Sequence, residues 1–261
     1  MAEIKTIHAL EFGEIKVRYP FREDLLLKDY YLTRILYALR DVKGIYFKGG
    51  TALNKIFLNH SRLSEDLDFT LTRNEKEVKE EIISILEKCD FFKGIRKGRD
   101  FDNFTRIIVE CETELGKSDI LIDLNQRAKL FLPSESNEIK HFYYPFVPKF
   151  SIKTIAKEEM VAEKLRATIA RNKPRDHFDV YQIIKEGIPI NLELVKRKCK
   201  DSNDEFSVIK MFNKAKTLKN RWDKDMNPLI KEPIHFHEVI KFLAKHFKLK
   251  EEKESLKERS K

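Results

Sequence analysis

The segment Asp66–Leu71, with the sequence DLDFTL, carries two aspartates one residue apart within an otherwise largely apolar run. This alternation predicts a β-strand, on which residues i and i+2 point to the same face of the sheet. Asp66 and Asp68 would then share one face, while Leu67 and Phe69 share the other. The segment therefore places two like charges side by side on one face of a sheet.

A third carboxylate has the same strand setting. In DILIDL, residues 119–124, three aliphatic side chains make one face and Asp123 lies on the other. If the two strands are neighbours, the three carboxylates converge, and their mutual repulsion raises the pKa of each. A divalent cation removes that cost, and hard oxygen ligands suit Mg²⁺ or Mn²⁺. The residues thus predict a metal site made by Asp66, Asp68 and Asp123. The alternative is an exposed sheet edge on which the aspartates do nothing.

A pair of glycines, Gly49 and Gly50, lies between a predicted strand and a short predicted helix. Glycines at such a position let backbone N–H groups approach phosphate oxygens, and the helix N-terminus adds a favourable dipole. Arg62 and Ser64, just before the acidic pair, can add a charge and a hydroxyl toward the same phosphates. Taken alone, the glycines indicate an ordinary strand–helix turn. Joined to a metal site by one short helix, they predict a nucleotide site.

Hydrophobic periodicity predicts an α+β chain with two domains. Residues 1–148 would form a small mixed β-sheet with flanking helices, and residues 149–261 an α-helical bundle with a charged tail. Pro145 and Pro148 mark the boundary between them. The predicted strands are 45–47, 66–71, 103–110 and 119–124, and the predicted helices are 22–41, 51–58, 75–89, 155–171, 176–186, 191–200, 204–219 and 236–247.

Composition sets weaker bounds on function. The 261 residues carry a formal net charge of +9, which favours a polyanionic partner such as nucleic acid or nucleotide, or reflects lysine-rich surfaces with no such partner. The three cysteines are far apart and form no C-x-x-C pair, so neither a zinc site nor a disulfide framework is indicated. Neither a signal peptide nor an apolar run of membrane-spanning length is visible, so we expect a cytoplasmic protein without a membrane partner.

The run KGGTALNKI…SRLSEDLDF resembles the first motif of the AbiEii/AbiGii-type toxin family, a branch of the DNA polymerase β-like nucleotidyltransferase superfamily. In that branch a glycine pair precedes an Arg-x-Ser-x-Asp-x-Asp-Phe run, as at residues 62–69 here. The gap between the two parts is longer than in the generic superfamily pattern and similar to that of the toxin branch. Asp123 falls where the family has its third acidic strand residue. The resemblance implies a nucleotidyltransferase domain with nucleotide-binding residues Gly49, Gly50, Thr51, Arg62 and Ser64.

The helical half resembles the later motifs of the same branch. Residues 163–167 (EKLRA) match its Glu-Lys-Leu-x-Ala helix, and residues 171–179 (RNKPRDHFD) match its Arg-x-Lys-x-Arg-Asp-x-x-Asp run. The resemblance implies that Lys164 contacts the nucleotide triphosphate and that Asp176 or Asp179 completes the catalytic site. Without the family, Lys164 is as readily a solvated lysine, and Asp176 a helix cap.

The activity that the resemblance implies is metal-dependent transfer of a nucleoside monophosphate from an NTP to an acceptor hydroxyl. Asp66 and Asp68 would bind two Mg²⁺ ions, one of them shared with Asp123, and pyrophosphate would leave. The implied acceptor is RNA, with tRNA as one class of target, and the implied setting is a toxin held in check by an antitoxin protein. Two alternatives stay open. One is a transferase for an antibiotic or metabolite, and the other is a nucleotide- or RNA-binding protein without turnover.

Overall fold

The structure is a computed structural model that describes residues 4–126, 129–144, 146–171 and 173–259. Pro145 and Asn172, which belong to the sequence patterns above, lie outside these ranges. The chain divides into two compact units, Met1–Ala156 and Lys157–Lys261. Across the described ranges, no helix has the length and apolar character needed to cross a membrane.

The first unit is built around a mixed seven-stranded sheet, counted over the described residues. Its strand order is β3-β4-β5-β2-β1-β7-β6. The strands are β1 (Ile45–Lys48), β2 (Asp66–Leu71), β3 (Phe92–Phe101), β4 (Phe104–Thr113), β5 (Gly116–Asn125), β6 (Glu135–Glu138) and β7 (Ser151–Thr154). The helices are α1 (Ala9–Arg18), α2 (Glu23–Leu39), α3 (Gly49–Ile56) and α4 (Glu75–Leu86).

The core of this unit lies on the apolar face of the sheet. Leu67 and Phe69 of β2 are fully buried, as are Ile122 and Leu124 of β5, and α2 and α4 pack against β5. Burial of such aliphatic and aromatic side chains is the main favourable contribution to folding. The predicted bounds of β2 are those observed, because strict alternation over six residues defines both faces of the strand.

Helix α3 is tied to α2 by a buried ion pair. The Nζ atom of Lys55 lies 2.7 Å from Oδ1 of Asp29 and donates to the hydroxyl of Thr33 at 2.9 Å. The hydroxyl of Tyr143 donates to Oδ2 of Asp29 at 3.0 Å. All four side chains are buried. Because a buried charge is stable only when it is paired and hydrogen-bonded, this network holds the helix that follows the glycine pair in one position.

Three strands were not predicted from the sequence. Strand β3 carries two glycines and several charges, so its apolar alternation is weak, and its pairing with β4 contains irregularities of register. Strands β6 and β7 are only four residues long and pair with each other, and β7 also pairs with β1. The compact units divide after Ala156 rather than near the predicted residue 148, because β7 belongs to the sheet of the first unit.

The second unit is helical throughout its described residues, apart from loops. Its helices are α5 (Lys157–Ala170), α6 (Pro174–Lys185), α7 (Leu192–Asp201), α8 (Val208–Phe212), α9 (Ala215–Met226), α10 (Phe236–His246) and α11 (Leu249–Arg259). The predicted helix 204–219 is in fact two, α8 and the first part of α9, separated by Asn213 and Lys214. The charged tail, which offers little to bury, is helical in α11.

Candidate active site

Gly49 and Gly50, at the turn between β1 and α3, leave room for the side chains of residues that the sequence analysis assigned to the site. Gly49 has a φ of +81°, and a Cβ atom built on it would lie 2.1 Å from Oδ2 of Asp68. A Cβ atom on Gly50 would lie 2.6 Å from Nη2 of Arg62 and 3.6 Å from Oγ of Ser64. The turn therefore packs its backbone directly against one of the two aspartates and against the arginine before them.

Replacing Gly49 with alanine tests this close approach. We expect the change to cost about 1–2 kcal/mol for the left-handed backbone alone, with a further loss because the new methyl group displaces the Asp68 carboxylate. Gly187→Ala is the matched control, because Gly187 has a φ of +65° but its new methyl group would meet no described neighbour within 4 Å. Chemical denaturation compares the two. An equal loss of unfolding free energy in both would contradict the steric argument.

The loop before β2 is held to α3 by Asn54, a residue that the sequence did not single out. Its Nδ2 donates to the carbonyl oxygen of Gly50 at 3.0 Å. Its Oδ1 accepts from the hydroxyl of Ser61 at 2.9 Å and from the backbone N–H of Arg62 at 3.2 Å. The side chain is buried. The signal available in the sequence was a polar residue at an inward-facing helical position, between Leu53 and Ile56.

The remaining predicted nucleotide-binding residues surround the start of β2. Arg62 is buried, and its Nη1 donates to the carbonyl oxygen of Leu63 at 2.9 Å. The hydroxyl of Ser64 donates to Oδ1 of Asp66 at 3.5 Å, and the hydroxyl of Thr51 donates to the backbone carbonyl of Asp66 at 2.5 Å. The structure thus brings the glycine pair, the Arg-x-Ser segment and the first aspartate together in one place.

The three aspartates that the sequence predicted as metal ligands lie on one face of the sheet. Strand β2 pairs in parallel with β5, and Asp68 stands opposite Asp123 in the register. Asp66, two residues before Asp68, points to the same face. Asp66 and Asp68 are half-buried, and Asp123 is buried. The two strands are therefore neighbours, which is the condition that the sequence set for the three aspartates to share one face.

An arginine outside the predicted set completes this cluster. Asp123 stands opposite Arg106 of β4, and Asp68 stands opposite Lys48 of β1, so the row Arg106–Asp123–Asp68–Lys48 crosses four strands. The Nε and Nη2 atoms of Arg106 donate to Oδ1 and Oδ2 of Asp123 at 2.7 and 2.6 Å. Two basic residues thus flank two acidic ones. Arg106 was missed because NFTRIIVE shows only that it faces away from the core, and not which residue it meets.

The electrostatics of the row follow from this pairing. The hydrogen bonds from Arg106 to Asp123 raise the pKa of the guanidinium, and the charges of Asp66 and Asp68 act in the same direction. The guanidinium therefore lies within the field of all three carboxylates. It supplies part of the positive charge that the sequence assigned to a divalent cation.

A divalent cation fits part of this donor set. The carboxylates of Asp66 and Asp68 are hard oxygen ligands on one face and suit Mg²⁺ or Mn²⁺. Both oxygens of Asp123, by contrast, are hydrogen-bonded to Arg106. Within the described part of the chain, no three His, Cys, Asp or Glu side chains are grouped as a metal site would require. The carboxylate that the sequence offered as the third ligand is therefore already engaged by a guanidinium.

The late-motif residues form a buried charged cluster in the second unit. The Nζ atom of Lys164 on α5 lies 3.1 Å from Oδ1 of Asp176 and 3.0 Å from Oδ2 of Asp179, both on α6. Arg171 adds a contact of 2.9 Å to Oδ1 of Asp176. Burial raises the pKa of Asp176, but the charges of Lys164 and Arg171 outweigh it and lower the pKa overall. Lys164 is thus a buried, paired lysine rather than a solvated one.

Comparison with solved structures shows which fold this is. MenT4, nucleotidyltransferase toxin Rv2826c from Mycobacterium tuberculosis H37Rv, is similar over 90% of this chain and 88% of its own, with a TM-score of 0.67 and 24% identity. JHP933 from Helicobacter pylori is similar over 92% of this chain and 100% of its own, with a TM-score of 0.61 and 21% identity. No curated protein matches the sequence.

The glycine turn beside an Asp-x-Asp strand, on a mixed sheet of this fold, agrees with the match to a family model, which shows the class: the chain is a nucleotidyltransferase. The family described as "Nucleotidyl transferase AbiEii toxin, Type IV TA system" matches residues 31–246. The chain belongs to that family, as its first and later motifs indicated.

Proposed function

We propose that this chain is a Mg²⁺-dependent nucleotidyltransferase that transfers a nucleoside monophosphate from an NTP to a hydroxyl group of RNA, with tRNA as the first candidate acceptor. We also propose that it acts as the toxin of a toxin–antitoxin pair. The observation that carries the proposal is the register of Asp68 with Asp123, next to the glycine turn and the buried Arg62.

Each part of the proposed site has a separate task. The backbone of Gly49 and Gly50, with Arg62 and Ser64, holds the phosphates of the NTP, because a helix N-terminus and a guanidinium both favour negative charge. Asp66 and Asp68 hold the metal, which when bound neutralises phosphate charge and lowers the pKa of an acceptor hydroxyl. Thr51 fixes the start of β2 through its bond to the carbonyl of Asp66.

Asp123 and the late-motif residues complete the proposal. Asp123 orients Arg106 in this structure and is the candidate third ligand of the metal. In the second unit, Lys164 is proposed as the triphosphate contact, and Asp176 and Asp179 as the acids that hold its ammonium group in place. This last assignment gives the acidic pair a positioning role.

The nature of the acceptor is supported by charge. A net charge of +9 favours a polyanionic acceptor, because neutralisation of phosphates by Lys and Arg releases counterions. The family description, a toxin of a type IV system, supports a target whose modification stops growth and a cognate antitoxin that prevents it. The second candidate is transfer to an antibiotic or metabolite.

The test is a transfer assay with the full chain, each of the four NTPs labelled at the α-phosphate, Mg²⁺, and total RNA or a panel of small-molecule acceptors. We expect label to move onto an RNA of tRNA size, with one NTP preferred and with no transfer in EDTA. If only a small molecule becomes labelled, the acceptor is that small molecule and not RNA. Metal-dependent NTP binding without transfer to either would overturn the proposed activity.

A further inference from the structure

The ion pair between Arg106 and Asp123 lies beside the two other carboxylates of the candidate site. Its guanidinium makes two hydrogen bonds to one carboxylate, at 2.7 and 2.6 Å, and experiences the charges of Asp66 and Asp68. Arg96, on the neighbouring strand β3, also pairs with two acids, Glu110 and Asp119. Neither of those acids belongs to the site.

The two members of the pair differ in exposure. The side chain of Arg106 is 29% exposed, whereas that of Asp123 is 11% exposed. The arginine can therefore swing toward solvent, while the carboxylate stays in the sheet between β2 and β4. A second cation placed on Asp123 would lie next to the guanidinium, and like charges at such distances repel. The guanidinium and a metal ion on the same carboxylate therefore weaken each other's binding.

We infer that Arg106 competes with the divalent metal for Asp123, so that the site has a metal-free form held by the arginine and a loaded form from which the arginine has withdrawn. This inference rests on the proposed metal-dependent function and concerns how the same site is regulated. Its consequence is that the chain itself weakens its affinity for metal. The metal-free form can keep three neighbouring carboxylates because Arg106 takes up part of their charge.

Removing the competitor should therefore strengthen metal binding. We expect Arg106→Gln to bind Mn²⁺ about tenfold more tightly than the natural chain, because a hydrogen-bonded charge pair no longer has to be broken. Titration of Mn²⁺ into the full chain at pH 7.5 without nucleotide, followed by electron paramagnetic resonance of the free ion, measures the dissociation constant. Arg96→Gln is the matched control and should leave the constant unchanged within about twofold.

Two further variants keep the test decisive. If Arg106→Gln does not fold, as judged by circular dichroism, Arg106→Lys takes its place. It keeps the charge but loses the two-bond geometry, and should give a smaller gain in affinity. Asp123→Asn frees the arginine but removes the metal ligand, so it should show no gain. Mn²⁺ affinity in the folded Arg106 variant no higher than in the natural chain would overturn the inference, and so would the absence of measurable binding in every variant.

The outcome can be separated from that of the proposed function, because transfer of label by the natural chain is measured independently. If the natural chain transfers label but the Arg106 variant binds Mn²⁺ no more tightly, the competition between Arg106 and the metal is rejected and the proposed nucleotidyltransferase activity stands. If the Arg106 variant binds Mn²⁺ more tightly but the natural chain transfers no label, the proposed activity is rejected and the competition stands.

Discussion

Asp68→Asn is expected to lower the rate of nucleotidyl transfer by roughly a thousandfold or more while leaving the fold intact. The neutral amide keeps the size of the side chain beside Gly49 but removes the negative charge that would bind the proposed metal. Asp66→Asn should behave in the same way. The measurement is release of pyrophosphate at saturating Mg²⁺, with the thermal unfolding midpoint as a check on the fold.

Asp119→Asn provides the control for this experiment. Asp119 lies on β5, four residues before Asp123, and its side chain is about half exposed and paired with Arg96. Because surface ion pairs contribute little, its loss should change neither activity nor stability appreciably. Wild-type rates in both Asp66→Asn and Asp68→Asn would exclude the proposed catalytic role of the strand.

The second large effect is expected at Lys164. Its replacement by methionine would remove the ammonium group that contacts both buried acids, Asp176 and Asp179, and would leave Asp176 with its contact to the half-exposed Arg171. Breaking a buried charge pair from one side typically costs about 3–5 kcal/mol, because the remaining buried charge loses compensation. We therefore expect both a loss of activity and a loss of unfolding free energy of about that size. Urea denaturation followed by circular dichroism measures the second quantity.

The control is Lys196→Met on α7, where an exposed lysine pairs with the exposed Glu193. It should cost less than about 0.5 kcal/mol. A loss of comparable size at both lysines would contradict the structural role of Lys164. Loss of activity at Lys164 with no loss of stability would make it a triphosphate contact alone.

Acidification gives an independent check on the same cluster. The pKa of Asp176 is lowered in the folded chain, so its contribution to stability is present above the ordinary aspartate pKa of about 3.9 and is lost as pH falls through the folded value. In Lys164→Met the lowering is reduced or reversed. The difference in unfolding free energy between the two proteins should therefore narrow as pH falls below about 4 toward the lowered pKa of Asp176, and a difference that is constant from pH 7 down to about pH 2.5 would contradict this.

Much of the framework could be predicted because it depends on local pattern. Six alternating residues defined β2 completely, and helical periodicity located α2, α4, α5 and α10. Local pattern failed for β3, whose glycines and charges hide its alternation, and for the two four-residue strands at the far edge. It also joined α8 and α9, since Asn213 and Lys214, which separate them, include neither a proline nor a glycine.

The sequence by itself determined which side chains share a face, because the two-residue period of a strand is a property of its own backbone. It therefore put Asp66 and Asp68 on one face of their strand and Asp123 on the polar face of another, and it made their meeting conditional on the two strands being neighbours. Only the tertiary structure decided what stands opposite each of them. Strand register brings Arg106 onto Asp123, and the fold of α3 brings Asn54 onto the loop before β2. These contacts join different elements of the chain. The hydrophobic periodicity of a single strand or helix therefore does not predict them. Strand pairing, and not the local sequence, therefore decided that Asp123 is paired with an arginine.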